Sequence, residues 1–249
     1  MRLLDFLFPP KCISCRAMLP SAPKRIHRKG GDLFCDECRA KWERSKLEQS
    51  RYCRMPMLDC RCASFLMRRN GNNVLLKLCS YSGEYADTVK SLIYTLKRGA
   101  DRRAELFVAH QLHSVILKYA SVYLGADLCI TNVPRRNEGN VKYGYDHAEL
   151  LARNISKISH IPYISLLERV KDGKEQKNLS ETERCKNVEG VFSLTPAAAD
   201  VKGKCVIIAD DVVTTGASMN ECIAVLKTAE PAAVLPVCIA QTAKIFTER

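Results

Sequence analysis

The chain has 249 residues, 47% hydrophobic and 27% charged, and carries a formal charge of +12. That length suits one sizeable α/β domain plus a small appendage, and the ordinary apolar content excludes a disordered chain. The apolar run at the start is stopped by Pro9-Pro10. A membrane span needs about 20 apolar residues, and a signal peptide needs a longer core and a cleavage site, so a cytoplasmic protein with no membrane span is expected.

The charge is uneven. Residues 1–72 hold 16 basic and 7 acidic residues, a net of +9, whereas residues 73–249 hold 23 and 20, a net of +3. Such an asymmetry points either to a polyanionic partner, nucleic acid or an acidic surface, or to a solvated face that keeps the protein soluble. Seven of the 13 cysteines fall between Cys12 and Cys62. In a cytosolic chain this favours zinc over disulfides. Cys12-x-x-Cys15 and Cys35-x-x-Cys38 have the spacing of two metal knuckles, and four such thiolates close a tetrahedral, structural Zn²⁺ site. Cys53, Cys60 and Cys62 offer a possible second zinc site without an obvious fourth ligand; His27 and Cys79 are candidates on chemistry only. This part is too poor in apolar periodicity to stand without a staple. Its Trp42, Tyr52 and Phe65 are interleaved with basic residues and read either as stacking faces for single-stranded nucleic acid or as a mini-core. The chain thus divides into a cysteine-rich ribbon, 1–72, and a second domain, 73–249.

From about Val74 apolar residues become periodic. Tyr85 to Lys97 predicts a helix, with Val89, Leu92, Ile93 and Leu96 on one face, and Ala104 to Leu124 a second. A buried strand follows over Ala126 to Val133, ended by Pro134, then a helix over His147 to Ser159 and a short strand over Ile161 to Leu167. Lys171 to Asn187 is polar and reads as a mobile loop. Lys204 to Ala209 predicts a strand, Ser218 to Lys227 a helix and Ala233 to Ala240 a last strand. Alternating strands and helices imply an α/β fold, a mostly parallel sheet with helices on both faces.

The stretch Val206 to Ser218 carries the chemistry. A buried strand runs into Asp210 and Asp211, then into Val213, Thr214, Thr215, Gly216, Ala217 and Ser218 ahead of a helix. In open α/β sheets ligands bind at the carboxyl ends of strands, and backbone N–H groups at a helix N-terminus favour an anion. Gly216 permits close backbone approach, and Thr214, Thr215 and Ser218 add hydroxyl donors. The two acids would repel a phosphate. They suit the vicinal hydroxyls of a ribose, directly or through Mg²⁺. A sugar with hydroxyls at one end and a 5-phosphate at the other matches this order.

These residues closely resemble the signature of type I phosphoribosyltransferases. The resemblance implies that Asp210 and Asp211 hold the ribose hydroxyls of phosphoribosyl pyrophosphate and that Thr214 to Ser218 hold its 5-phosphate. A cysteine-rich ribbon joined to such a domain resembles the ComF family of competence-associated proteins over nearly the whole chain. Tyr81-Ser82-Gly83 and Leu92 through Lys97 resemble the start of that family's domain, and Val133-Pro134-Arg135-Arg136 its pyrophosphate-side loop. Glu168 to Lys171, Gln176, Leu179-Ser180, Glu183-Arg184 and Asn187 resemble its long polar loop, which puts Arg169, Gln176, Arg184 and Asn187 there. The family's Arg-Gly-aromatic-Asn-Gln run is replaced by Tyr143-Gly144-Tyr145-Asp146-His147, which exchanges a cation for an acid. The resemblance implies transfer of a 5-phosphoribosyl group, with Mg²⁺, to an acceptor that no residue identifies, in the setting of DNA uptake. The alternative is a non-catalytic competence factor that binds single-stranded DNA, works with the DNA-uptake machinery and uses the phosphoribosyl pocket for regulation. Glutamine-dependent amidotransfer is set aside, because residue 2 is Arg2 and the ribbon stands where a glutaminase domain would be.

Overall fold

The computed structural model describes residues 10–19, 33–98, 101–120, 127–135, 146–171 and 190–242. Among these the elements run α1 (Asp36–Leu47), α2 (Phe65–Arg69), β1 (Leu76–Ser80), α3 (Ala86–Lys97), α4 (Arg102–Ala120), β2 (Leu128–Asn132), α5 (His147–Ser159), β3 (Leu167–Arg169), β4 (Phe192–Leu194), a 3₁₀ segment (Pro196–Val201), β5 (Cys205–Val213), α6 (Ala217–Lys227) and β6 (Ala233–Gln241).

Four strands form one parallel sheet in the order β1-β6-β5-β2. Period-two alternation sends the strand side chains to two apolar layers. From β5, Ile207 and Ala209 join a layer with residues of α3, α4 and α5, whereas Val206 and Ile208 join a layer with residues of α6 and the short β3–β4 pair. Helices therefore cover both faces, as the alternating pattern implied. In α3 the expected stripe of Val89, Leu92, Ile93 and Leu96 is the buried face. Helix α5 has its expected bounds and is capped by Asp146, whose side chain accepts from Ala148 N–H at 2.8 Å and Glu149 N–H at 3.1 Å.

Three differences from the sequence expectations matter. No strand forms over Ile161 to Leu167: Tyr163 makes a single bridge to Ile130, and β3 starts at Leu167. Pro162, which has no N–H, can only accept there, from Ile130 N–H at 2.9 Å. Strand β5 continues four residues past Ala209, because β6 keeps pairing with it, Asp210 opposite Cys238 and Val213 opposite Gln241. The first part of the chain also holds helix α1, whose Trp42 is fully buried. Its ring stacks on Phe34, with centroids 6.2 Å apart, and tilts against Phe107 of α4 at 5.8 Å. Trp42 is therefore no stacking face for a nucleobase, and its packing partners come from both parts of the chain.

Candidate functional site

The site opens where β2 stops. β2 pairs with β5 as far as Asn132 opposite Ala209; beyond that point β5 keeps its β6 neighbour and loses β2. Asp210 and Asp211 lie on this half-paired end, at the carboxyl edge of the sheet. The chain leaving β2 carries Arg135, whose Nη2 lies 3.3 Å from Asp211 Oδ2. Lys97, the last residue of α3, brings its Nζ to 3.0 Å from the same oxygen. Lys97 and Arg135, the latter in the segment likened to a pyrophosphate-side loop, thus converge on the second acid. Burial pushes the Asp211 carboxyl up, but Lys97 and Arg135 outweigh it and hold it below the usual carboxylate range. Asp210 goes the other way: burial, then the charge of Asp211, lift it well above that range.

Asp146, whose charge opposes that of a pyrophosphate-side loop, faces backbone. Beyond capping α5, its Oδ2 accepts from Arg135 N–H at 3.0 Å and fixes the start of the cationic segment. Burial lifts its carboxyl, against those same backbone donors. His147 follows it, and burial together with the nearby Arg135 lowers its imidazole to about 4.

Past Asp211 the loop divides its tasks. The side chain of Val213 is core, and its carbonyl accepts from Thr242 N–H at 2.9 Å. Thr214 is exposed, Thr215 is buried with its Oγ1 accepting from Ala217 N–H at 3.3 Å, and Ser218 is half-buried in the first turn of α6. The N-cap residue Gly216 has no side chain to cap α6, so beyond Ala217 the first turn of α6 remains for an anion. Gly216 has φ +86°, a conformation that L side chains rarely adopt. Arg169, assigned from sequence to the polar loop, instead ends β3 opposite Phe192, with its guanidinium 5.3 Å from that ring's centroid. Arg136, Gln176, Arg184 and Asn187 lie outside the described residues.

The thiols gather as the spacing predicts. Cys12, Cys15, Cys35 and Cys38 have sulfurs all within 4.8 Å of one another, and so do Cys53, Cys60 and Cys62. At Cys12, burial raises the thiol, but hydrogen bonds from the backbone of Cys15, Cys35 and Ser14 bring it down to about 7. Such N–H···S contacts favour the thiolate that a metal needs. The second set is tied to the sheet through Lys77 of β1, whose fully buried ammonium donates to the carbonyls of Cys60 at 3.1 Å, Cys62 at 2.9 Å and Leu75 at 3.3 Å. Cys79 is not its fourth ligand, since it lies apart and points its Sγ at the Ile239 carbonyl, 3.5 Å away. His27 lies outside the described residues. Sequence reasoning missed Lys77, because a lysine in an apolar run reads as an interruption. It also missed Ser64, which reaches the loop from 151 residues away.

Residues 147–244 match the family model described as "Phosphoribosyl transferase domain". The chain is 33% identical over 93 residues to competence protein F of Haemophilus influenzae, a match covering 37% of this chain and 41% of that protein. It is 29% identical over 163 residues to DNA utilization protein YhgH of Escherichia coli, covering 64% and 70%. With competence protein ComFC of Bacillus subtilis it shares 25% identity over 195 residues, 77% of each chain. No helix among the described residues is long and apolar enough to cross a membrane. The chain thus contains a match to a phosphoribosyl transferase domain and is similar to proteins named for competence, and it spans 41% of the length of the first of them.

Proposed function

We propose that this protein binds phosphoribosyl pyrophosphate at the carboxyl end of β5 and serves natural competence, the role for which two of its relatives are named, by acting in DNA uptake. The observation that carries the reading is the convergence of Lys97 and Arg135 on Asp211, immediately before a loop that opens an uncapped helix. Asp210 and Asp211 take the ribose hydroxyls. The loop from Thr214 to Ser218 takes the 5-phosphate, and Lys97 and Arg135 move from Asp211 to the pyrophosphate. Mg²⁺ suits such a site, because it is held by one or two carboxylates together with ligand phosphates; when bound it spreads the charge of the leaving pyrophosphate. Positioning and charge stabilisation are what this chain's own residues contribute to any transfer. Isothermal titration with phosphoribosyl pyrophosphate tests the reading. The wild type should bind, and a chain with Asp210→Asn and Asp211→Asn should lose about 2–4 kcal/mol of affinity through broken buried polar contacts. Equal affinity in the two would remove the site from Asp210 and Asp211.

A second reading, single-strand binding, is favoured by one surface. Tyr81, Lys90, Ser91, Ile93, Tyr94 and Lys97 line an open depression of about 320 Å³ beside the site. Tyr94 is 50% exposed and has the Arg98 guanidinium 4.3 Å from its ring centroid. Aromatic faces set among cations suit unpaired bases and their phosphates. Single strands should then bind better than duplex, with affinity falling steeply as salt rises. A salt-independent affinity, or none, removes this reading.

Zinc at Cys12, Cys15, Cys35 and Cys38, with a possible second ion at Cys53, Cys60 and Cys62, completes the proposal; metal analysis of protein prepared without added zinc tests both.

A further inference from the structure

The cysteine-rich part touches the phosphate loop directly. Ser64 is the N-cap of α2, where its hydroxyl accepts from Met67 N–H at 3.4 Å and donates to the Thr215 carbonyl at 2.7 Å. Ser64 is 3% exposed and Thr215 6%, so without this donor the carbonyl would stay dry and unpaired. The next residue fits against the same helix. A Cβ on Gly216 would lie 2.5 Å from Ser64 Oγ and 2.7 Å from Met67 Cγ, closer than side chains tolerate. Further along, Asn72 Nδ2 donates to Asn220 Oδ1 at 2.6 Å, and Lys227 Nζ donates to Asn72 Oδ1 at 2.9 Å. The segment from Ser64 to Asn72 therefore lies along α6 from its first turn to its last residue.

The segment that presents Ser64 is itself held. Ala63 N–H reaches the Asn73 carbonyl at 3.1 Å and Leu75 N–H the Arg61 carbonyl at 2.9 Å, while Lys77 fastens the Cys60 and Cys62 carbonyls from the sheet side. In a trans peptide the carbonyl and the following N–H point in opposite directions. No peptide among the described residues is cis. Pinning the Thr215 carbonyl on Ser64 thus aims the Gly216 N–H away from α2.

We propose that Ser64 is a positioning residue for the phosphate loop: by holding the Thr215 carbonyl, it turns the Gly216 N–H toward the 5-phosphate. This rests on the reading of residues 214–218 as a phosphate site. It means that the cysteine-rich part forms one wall of that site and is not only an appendage to it.

The test uses the full zinc-loaded chain and two probes, ribose 5-phosphate and inorganic pyrophosphate, titrated into wild type and Ser64→Ala. Ribose 5-phosphate should bind the variant about tenfold more weakly. Pyrophosphate, which draws on Lys97 and Arg135, should bind both equally. Hydrogen exchange at residues 214–220 should quicken in the variant. Equal losses for the two probes would mark Ser64 as merely structural and overturn the proposal, as would an unchanged ribose 5-phosphate affinity. If Ser64→Ala does not fold, Ser64→Cys, a weaker donor of similar shape, should give a smaller loss of the same selectivity. If the wild type binds neither probe, the phosphate-site reading itself fails, and the role of Ser64 in ordering the loop stands or falls on the exchange rates alone.

Discussion

Asp210 and Asp211 are neighbours on one strand, yet their surroundings push them apart. Successive residues of a strand face opposite ways, so Asp211 pairs directly with Lys97 and Arg135, whereas at Asp210 burial and the charge of Asp211 outweigh the same two cations. The raised carboxyl of Asp210 and the lowered one of Asp211 thus present a ribose diol with two carboxyls of different acidity. Replacing Lys97 with Met should raise the Asp211 carboxyl, read from pH-titrated carbon NMR of the side chain; no movement would mean that the 3.0 Å pair does not set its charge. His147 gives a second titration. Its imidazole falls from 6.5 to about 4, through burial first and Arg135 second. Between those values the unfolded chain takes a proton that the folded one refuses, so the stability His147 contributes is present above 6.5 and lost as pH falls toward 4. The loss is at most about 3.4 kcal/mol. Asp210, whose carboxyl is raised, works in the opposite direction, so the variant and the wild type must be compared. From pH 7 to 4.5 the urea midpoint of His147→Gln should fall less than that of wild type; parallel curves would refute the assignment.

At the scale of elements, α5 shows how a helix start can serve a site. Asp146 caps α5 and also accepts from Arg135 N–H, so Asp146→Ala should cost about 1 kcal/mol of stability and weaken pyrophosphate binding together. A stability loss with pyrophosphate affinity unchanged would separate the two roles. From sequence Asp146 reads only as an acid in place of a cation, although Asp146 and Glu149 have capping-box spacing ahead of an apolar stripe. Helices α3, α5 and α6 were legible within a residue, because their buried faces are apolar and periodic. Helix α1 was not, since its buried face is Cys38, Trp42, Ser45 and Lys46, which has no apolar period. Strand β1 hid behind Lys77, and the reading of β5 stopped at the first carboxylate because charge is a poor sign of a strand that still pairs. In the site, the order of acids, threonines and glycine was readable. The family resemblance marked Lys97 and Arg135 as ligand-binding positions but not their meeting with Asp211, and the contact of Ser64 with Thr215 has no local signal at all.

Over the whole molecule, composition suggests a division near residue 73, but one apolar layer crosses it. Cys12, Ile13, Leu33, Phe34 and Trp42 share that layer with Leu76, Leu92, Phe107 and Leu112. A cysteine-rich part that could not bury enough surface alone is covered by α3 and α4, and it covers them in turn. A Zn²⁺ held there would temper its charge, since four thiolates and one Zn²⁺ together carry −2 against the +9 of residues 1–72. Trp42 is the chain's single tryptophan and fully buried where the two parts meet, so its emission reports their contact directly. If the core is one cooperative unit, urea should shift Trp42 emission and far-ultraviolet dichroism with coincident midpoints. Trp42→Ala should lower the dichroism midpoint as well, by the equivalent of about 3–5 kcal/mol for a buried aromatic. Chelating zinc, or Cys35→Ser, should act through the same layer: the thiols of Cys12 and Cys38 flank Ile13 and α1, so freeing them loosens the packing that holds Phe34 on Trp42. A red shift of Trp42 emission with an intact sheet would instead show that the cysteine-rich part melts by itself. The wall that Ser64 forms beside the phosphate loop would then be lost before the loop is, and ribose 5-phosphate affinity should fall in step with the emission change.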